Sequence, residues 1–172
     1  MAEIQYHLAE DTIDEKDIRA LIGWLEGNPR LTKGPCTVEF EKKWSTWWGR
    51  GHSVFCNSGS AANLLMYDAL LLSKKLKNKK VIVPAAGWPT TITPAIQLGF
   101  EPIMCEADKE TFGMDVECLE HLLEKHNPGA VIFVQMLGVP HQQIAKILAL
   151  KEQYGFVLLE DACAALGASY HG

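Results

Sequence analysis

Apolar residues recur at helical spacing at the start of this chain and in short unbroken runs further on. Ile13, Ile18, Leu21, Ile22 and Leu25 mark a helix over residues 11–27, ended by Gly27-Asn28-Pro29. A loop rich in Pro, Gly and Thr follows over 28–36, and Val38, Phe40, Trp44 and Trp47 or Trp48 bring back helical spacing over 37–48. From residue 52 the pattern alternates. Strand-like runs cover 52–56, 80–84, 101–105, 130–136 and 156–160. Between them, helical patterns cover 60–76, 89–98 (broken by Pro94), 115–125 with Asp115 as its cap, and 141–154. Strands alternating with helices predict βαβ units and a mostly parallel sheet. Runs such as Val131-Ile132-Phe133-Val134 show no polar alternation, as expected of strands covered on both faces. The fold class that follows is α/β, a three-layer αβα arrangement. No repeat, low-complexity tract or linker interrupts it.

Composition narrows the function classes. The 172 residues are 48% hydrophobic and 22% charged, an ordinary globular balance. A net charge of −5 argues against nucleic acid, whose phosphates draw basic surfaces. Lys74-Lys75 and the Lys77–Lys80 block read as a solvated helix end. No apolar run nears the roughly 20 residues that cross a bilayer. Met1 to Gln5 lack the basic and apolar regions of a secretory signal. The expected location is the cytoplasm. The five cysteines, Cys36, Cys56, Cys105, Cys118 and Cys163, contain no C-x-x-C pair and fit free thiols in a reducing compartment. No metal site is expected: His121 and His126 are misplaced for one helix face, and His7, His52, His141 and His171 are scattered.

Candidate chemistry gathers in loops after strands. The clusters are Asn57-Ser58-Gly59-Ser60, Ala85-Ala86-Gly87-Trp88-Pro89-Thr90-Thr91, Gln135-Met136-Leu137-Gly138-Val139-Pro140 and Glu160-Asp161-Ala162-Cys163. In a parallel sheet these ends share one edge, where ligands bind. Asn57–Ser60 precedes a helix whose free N–H groups and positive dipole end suit a phosphate. Asp161 closes an apolar run as a distant acidic anchor. A phosphate cup with such an anchor suggests a phosphorylated cofactor.

These residues resemble a known family. Leu31-Thr32-Lys33-Gly34-Pro35 with Glu39-Phe40-Glu41, Asn57-Ser58-Gly59-Ser60-Ala61-Ala62, Pro89-Thr90-Thr91, Gly138-x-Pro140, and Glu160-Asp161-Ala162 with Leu166-Gly167-Ala168 are similar to the DegT/DnrJ/StrS aminotransferases. Those are fold-type I, pyridoxal-phosphate-dependent enzymes of nucleotide-linked keto sugars. Ser60 to Leu65 and Ala86 to Thr91 look closest to the 3-dehydrases that make 3-deoxysugars. The resemblance implies pyridoxal 5'-phosphate or pyridoxamine 5'-phosphate as cofactor. Ser58, Gly59 and Ser60 would receive its phosphate, Trp88 would stack on its ring, and Asp161 would pair with the ring nitrogen. It implies a nucleotide-linked sugar substrate, a homodimer, an iron-sulfur reductase partner for a 3-dehydrase, and a place in lipopolysaccharide O-antigen synthesis.

Two departures shape the reading. Ala164 stands where the aminotransferases carry Gln, and Gln135 where many relatives carry His. The Schiff-base lysine, or the histidine that replaces it in 3-dehydrases, falls beyond residue 172 in the family pattern. We therefore expect a helical segment over 1–50 and a partial large domain over 51–172, incomplete at its C-terminus. The alternative is a non-catalytic, truncated or split chain that needs a companion. A Rossmann-type dinucleotide binder is disfavoured because no G-x-G-x-x-G follows the first strand-like run.

Overall fold

The computed structural model describes residues 10–170, in which two compact units divide between Phe55 and Cys56. In the first, helix α1 (Glu15–Glu26) starts at a capping box: Asp14 accepts from the amides of Lys16 and Asp17, and Asp17 accepts from the Asp14 amide. Helix α2 (Pro35–Trp47) begins on a proline, whose missing N–H costs nothing in a first turn. The segment after it is extended by sequence pattern but forms no strand. Residues 52–56 lack a ladder partner among the described residues, and Val54 and Phe55 stay exposed. This corrects the expected 52–56 strand: strand-forming residues become a strand only when a neighbour takes up their N–H and C=O groups.

The second unit carries the α/β pattern. Its elements are α3 (Gly59–Leu72), β1 (Lys80–Pro84), α4 (Pro89–Gln97), β2 (Glu101–Cys105), α5 (Val116–His126), β3 (Ala130–Val134), α6 (Ile144–Tyr154) and β4 (Val157–Asp161). The four strands run parallel in the order β2-β1-β3-β4. Consecutive strand residues face opposite sides, and both sides are apolar. Ile82, Val131 and Phe133 pack with Leu119 and Leu123 of α5 and Ile147 and Leu150 of α6. Val81, Val83 and Ile132 pack with Tyr67 and Leu70 of α3 and Ala95 of α4. The result is a three-layer αβα sandwich, which explains why the strands lack polar alternation.

Some boundaries moved. The helix from Ser60 stops at Leu72 rather than 76, because Ser73 caps it and Lys74 turns left-handed. Strand β3 ends at Val134, where a 3₁₀ turn over Met136–Gly138 begins. Helix α6 starts at Ile144, since His141 is held in the preceding loop by bonds to Met114 and Gln143. Pro94 does not break α4. It forfeits one backbone hydrogen bond, but Pro94 and Ala95 are buried against the sheet, and packing outweighs that loss.

Candidate functional site

Parallel β1, β3 and β4 bring their carboxyl ends to one edge, and the turns leaving them meet at Asp161. Asp161 is the last residue of β4, in register with Val134 of β3. Its Oδ2 accepts from Asn63 Nδ2 at 3.2 Å and from Thr91 Oγ1 at 3.3 Å. Its Oδ1 accepts from the Cys163 amide at 3.2 Å. All of these donors are neutral, and the salt bridges among the described residues lie elsewhere. A carboxylate held by neutral donors, with no resident cation, can still take a cationic partner.

Two helix starts flank this carboxylate. Ser58 is the N-cap of α3, its Oγ accepting from the Ala61 amide at 3.2 Å, and Gly59 and Ser60 form the first helical positions. Early amides of a helix have no partner inside it and point outward with the positive end of the dipole. Nothing lies within 4 Å of where a Gly59 side chain would begin. Asn63, one turn further along α3, reaches Asp161. Trp88 is the N-cap of α4; its carbonyl accepts from the Thr91 amide at 3.0 Å, and Thr91 in turn holds Asp161. The indole of Trp88 is 70% exposed. The structure thus ties Trp88 and the α3 start to the same edge as Asp161.

Asn63 stands in the Ser60–Leu65 stretch and Thr91 in the Ala85–Thr91 cluster, but the sequence assigned neither of them a role. They are 5% and 0% exposed, among the few buried polar side chains of the described residues. A signal existed for Asn63, a polar position between Ala62 and Leu64 in an apolar helix; Thr91, beside Thr90 and Thr93, gave none. Polar residues on a buried face need a partner, but the sequence does not say which.

The remaining loops frame the edge. The Gln135 amide donates to the Asp161 carbonyl at 3.0 Å, and its side chain donates to Glu160 at 2.8 Å. Leu137 and Gly138 both have positive φ, which is unusual for leucine. That turn lays Gly138 so close to the Ala164 carbonyl that a β-carbon would sit 2.8 Å from it. Ala164, exposed, contributes no side-chain donor. Buried Cys105 has its thiol pushed up by burial, with Cys118 beside it adding to the shift, and is not a nucleophile. Among the described residues no cluster could hold a metal, and no helix is long and apolar enough to cross a membrane.

Known proteins share this chain's sequence pattern and its fold. A GDP-4-keto-6-deoxy-D-mannose 3-dehydratase of Yersinia pseudotuberculosis is 36% identical over 172 residues, covering 98% of this chain and 43% of the relative. The lipopolysaccharide biosynthesis protein RfbH of Salmonella typhimurium is 35% identical over 159 residues, covering 89% of this chain and 34% of that protein. The structure of the Escherichia coli GDP-4-keto-6-deoxy-D-mannose-3-dehydratase with bound hydrated PLP superposes with a TM-score of 0.83 at 30% identity, covering 98% of this chain and 43% of that one. The chain therefore spans less than half the length of these relatives. Residues 11–172 match the description of one family throughout, and the chain belongs to the DegT/DnrJ/EryC1/StrS aminotransferase family.

Proposed function

We propose that this chain forms the cofactor-binding part of an enzyme that uses pyridoxal 5'-phosphate or pyridoxamine 5'-phosphate on a nucleotide-linked keto sugar. The reaction we favour is C3 dehydration of a 4-keto-6-deoxyhexose, in the synthesis of a surface polysaccharide. One observation carries the reading: Asp161 stands at the carboxyl edge of β4, held by neutral donors from α3, from the first turn of α4 and from the Cys163 amide.

The residues present fit such a cofactor. The Gly59 and Ser60 amides would bind its phosphate, and Ser58 keeps its own hydroxyl hydrogen free to donate, since its oxygen accepts from Ala61. The exposed Trp88 indole would cover one face of the pyridine ring and exclude water from it. Asp161 would accept a hydrogen bond from the ring nitrogen and hold a proton there. When bound, the cofactor supplies an electron sink for a carbanion. Ala164 favours dehydration over transamination, because an alanine cannot donate a hydrogen bond where the aminotransferases place Gln. On the family pattern the enzyme would work as a homodimer, the dehydration reading with an iron-sulfur reductase.

Pyridoxamine 5'-phosphate needs no lysine to bind, so it tests the site directly. Calorimetric titration should show binding to the wild type and at least about tenfold weaker binding to Asp161→Asn, the loss of one charge-assisted hydrogen bond. Equal affinity of the two would refute the role of Asp161. Turnover of a GDP-linked 4-keto-6-deoxymannose, the substrate named for the relatives, is the companion assay for the whole enzyme.

A further inference from the structure

We infer that Asn63 and Thr91 are positioning residues: by filling Oδ2 of Asp161 they leave Oδ1 as the oxygen that meets the cofactor's ring nitrogen. The inference rests on the cofactor reading above and goes beyond it, because it assigns the acceptor atom and the two side chains that select it.

A carboxylate has about four lone-pair sites, two on each oxygen. Oδ2 accepts from both Asn63 Nδ2 and Thr91 Oγ1, at 3.2 and 3.3 Å. Among the described residues Oδ1 accepts only from the Cys163 amide, at 3.2 Å. One site on Oδ1 is therefore the free one. The two donors on Oδ2 come from different helices and are rigidly held. Thr91 is fully buried, and β-branching restricts its χ1. Its carbonyl accepts from the hydroxyl of Tyr67 at 3.0 Å, and Tyr67 is buried one turn beyond Asn63 on α3. Helix α3 thus grips α4 at Thr91 while both grip Asp161. Packing alone does not require polar residues at these two places, since apolar residues of similar shape fill buried space without needing partners. What the amide and the hydroxyl add is a fixed orientation of the carboxylate. A carboxylate free to rotate would spend part of its time with neither oxygen aimed at the ring nitrogen, and would favour the protonated ring less.

The test uses the purified protein, pyridoxamine 5'-phosphate as probe, and the variants Asn63→Leu, Thr91→Val, Thr91→Ser and Asp161→Asn. Two quantities are read: the dissociation constant, and the pH midpoint at which the bound cofactor's ultraviolet spectrum reports loss of the ring-nitrogen proton. Thermal melting without cofactor is followed in parallel. Asn63→Leu and Thr91→Val should each weaken binding about threefold to tenfold and move the midpoint down toward that of the free cofactor. Thr91→Ser, which restores the hydroxyl, should return both toward wild type. The inference fails if Asn63→Leu and Thr91→Val leave the midpoint unmoved, even when they melt earlier, for that is a structural role alone. It also fails if Thr91→Ser behaves as Thr91→Val. Weak binding by Asp161→Asn with wild-type behaviour of Asn63→Leu and Thr91→Val would sink this assignment and leave the cofactor reading standing. No binding by the wild type would overturn both.

Discussion

Gly129 sits where a side chain of any kind would run into the carbonyl oxygen of Asn78. Its amide donates to Asn78 Oδ1 and to the Lys80 carbonyl, both at 2.9 Å, and its carbonyl accepts from Val157 at 2.9 Å. The starts of β1, β3 and β4 are stapled at this one residue. Gly129→Ala should destabilise the protein by about 1–3 kcal/mol through overpacking, read as a lower urea midpoint; an unchanged midpoint would contradict the close approach. Tyr67 shows a residue-scale effect with a pH signature. Burial raises its phenol well above the ordinary value. A raised acid contributes stability that is full below the unfolded-state value, about 10, and declines as pH rises above it. Above about pH 10 the stability of the wild type should therefore fall with pH more steeply than that of Tyr67→Phe. At neutral pH the same variant should cost about 1–2 kcal/mol, since the buried Thr91 carbonyl loses its bond from the hydroxyl. Thermal melts at neutral and alkaline pH, compared between the two proteins, check both statements.

At the scale of elements, caps and turns decide where helices begin. Asp115 caps α5 by accepting from the Cys118 amide at 2.7 Å. Asp115→Ala should lower stability by about 1 kcal/mol, again read in a urea melt. In the turn before it, Asp108 accepts from the Thr111 hydroxyl and amide at 2.8 Å each and from the Glu110 amide at 3.1 Å. These bonds, led by the Thr111 hydroxyl, hold its carboxyl below the ordinary value. A depressed carboxyl contributes stability that is full above the unfolded-state value, about 3.9, and is lost as pH falls through the folded value. Melting temperature should therefore fall less steeply below about pH 4 in Asp108→Ala than in wild type; identical acid slopes would rule this turn out. Not every element followed from its pattern. Asp115 was legible as a cap because a short acceptor precedes an apolar periodic run. Residues 52–56 read as a strand from Val54 and Phe55, yet a strand is a relation between two segments, and no described neighbour supplies the other half.

At the scale of the molecule, the second unit is a sandwich whose two cores share one sheet. Leu119 and Leu123 are fully buried beneath one face, and Tyr67 and Ala95 beneath the other. Truncating a side chain in either core leaves a cavity that a close-packed layer closes only in part. Leu119→Ala should cost about 2–5 kcal/mol, measured by denaturant unfolding. Because Leu119 packs on the face away from α3 and α4, the variant should bind pyridoxamine 5'-phosphate like the wild type wherever it remains folded. Weakened binding in the folded variant would mean that the two faces are coupled through the sheet.

Sequence alone determined the class of this fold. Unbroken apolar strands alternating with amphipathic helices bury both sheet faces, and four of the five strand-like runs became the parallel strands β1 to β4. It also pointed to the edge where Trp88 and Asp161 lie, because parallel connectivity sends the turns after β1 and β4 to the same side; Ser58, Gly59 and Ser60 follow no strand among the described residues, and their helix reaches that edge through Asn63. Tertiary structure decided the rest. Asn63 and Thr91 reach Asp161 across 98 and 70 residues of chain. No local spacing encodes such a bond. It exists because strand order seats α3 and α4 together at the end of β4, and it is there that two ordinary polar residues become the donors that orient one carboxylate.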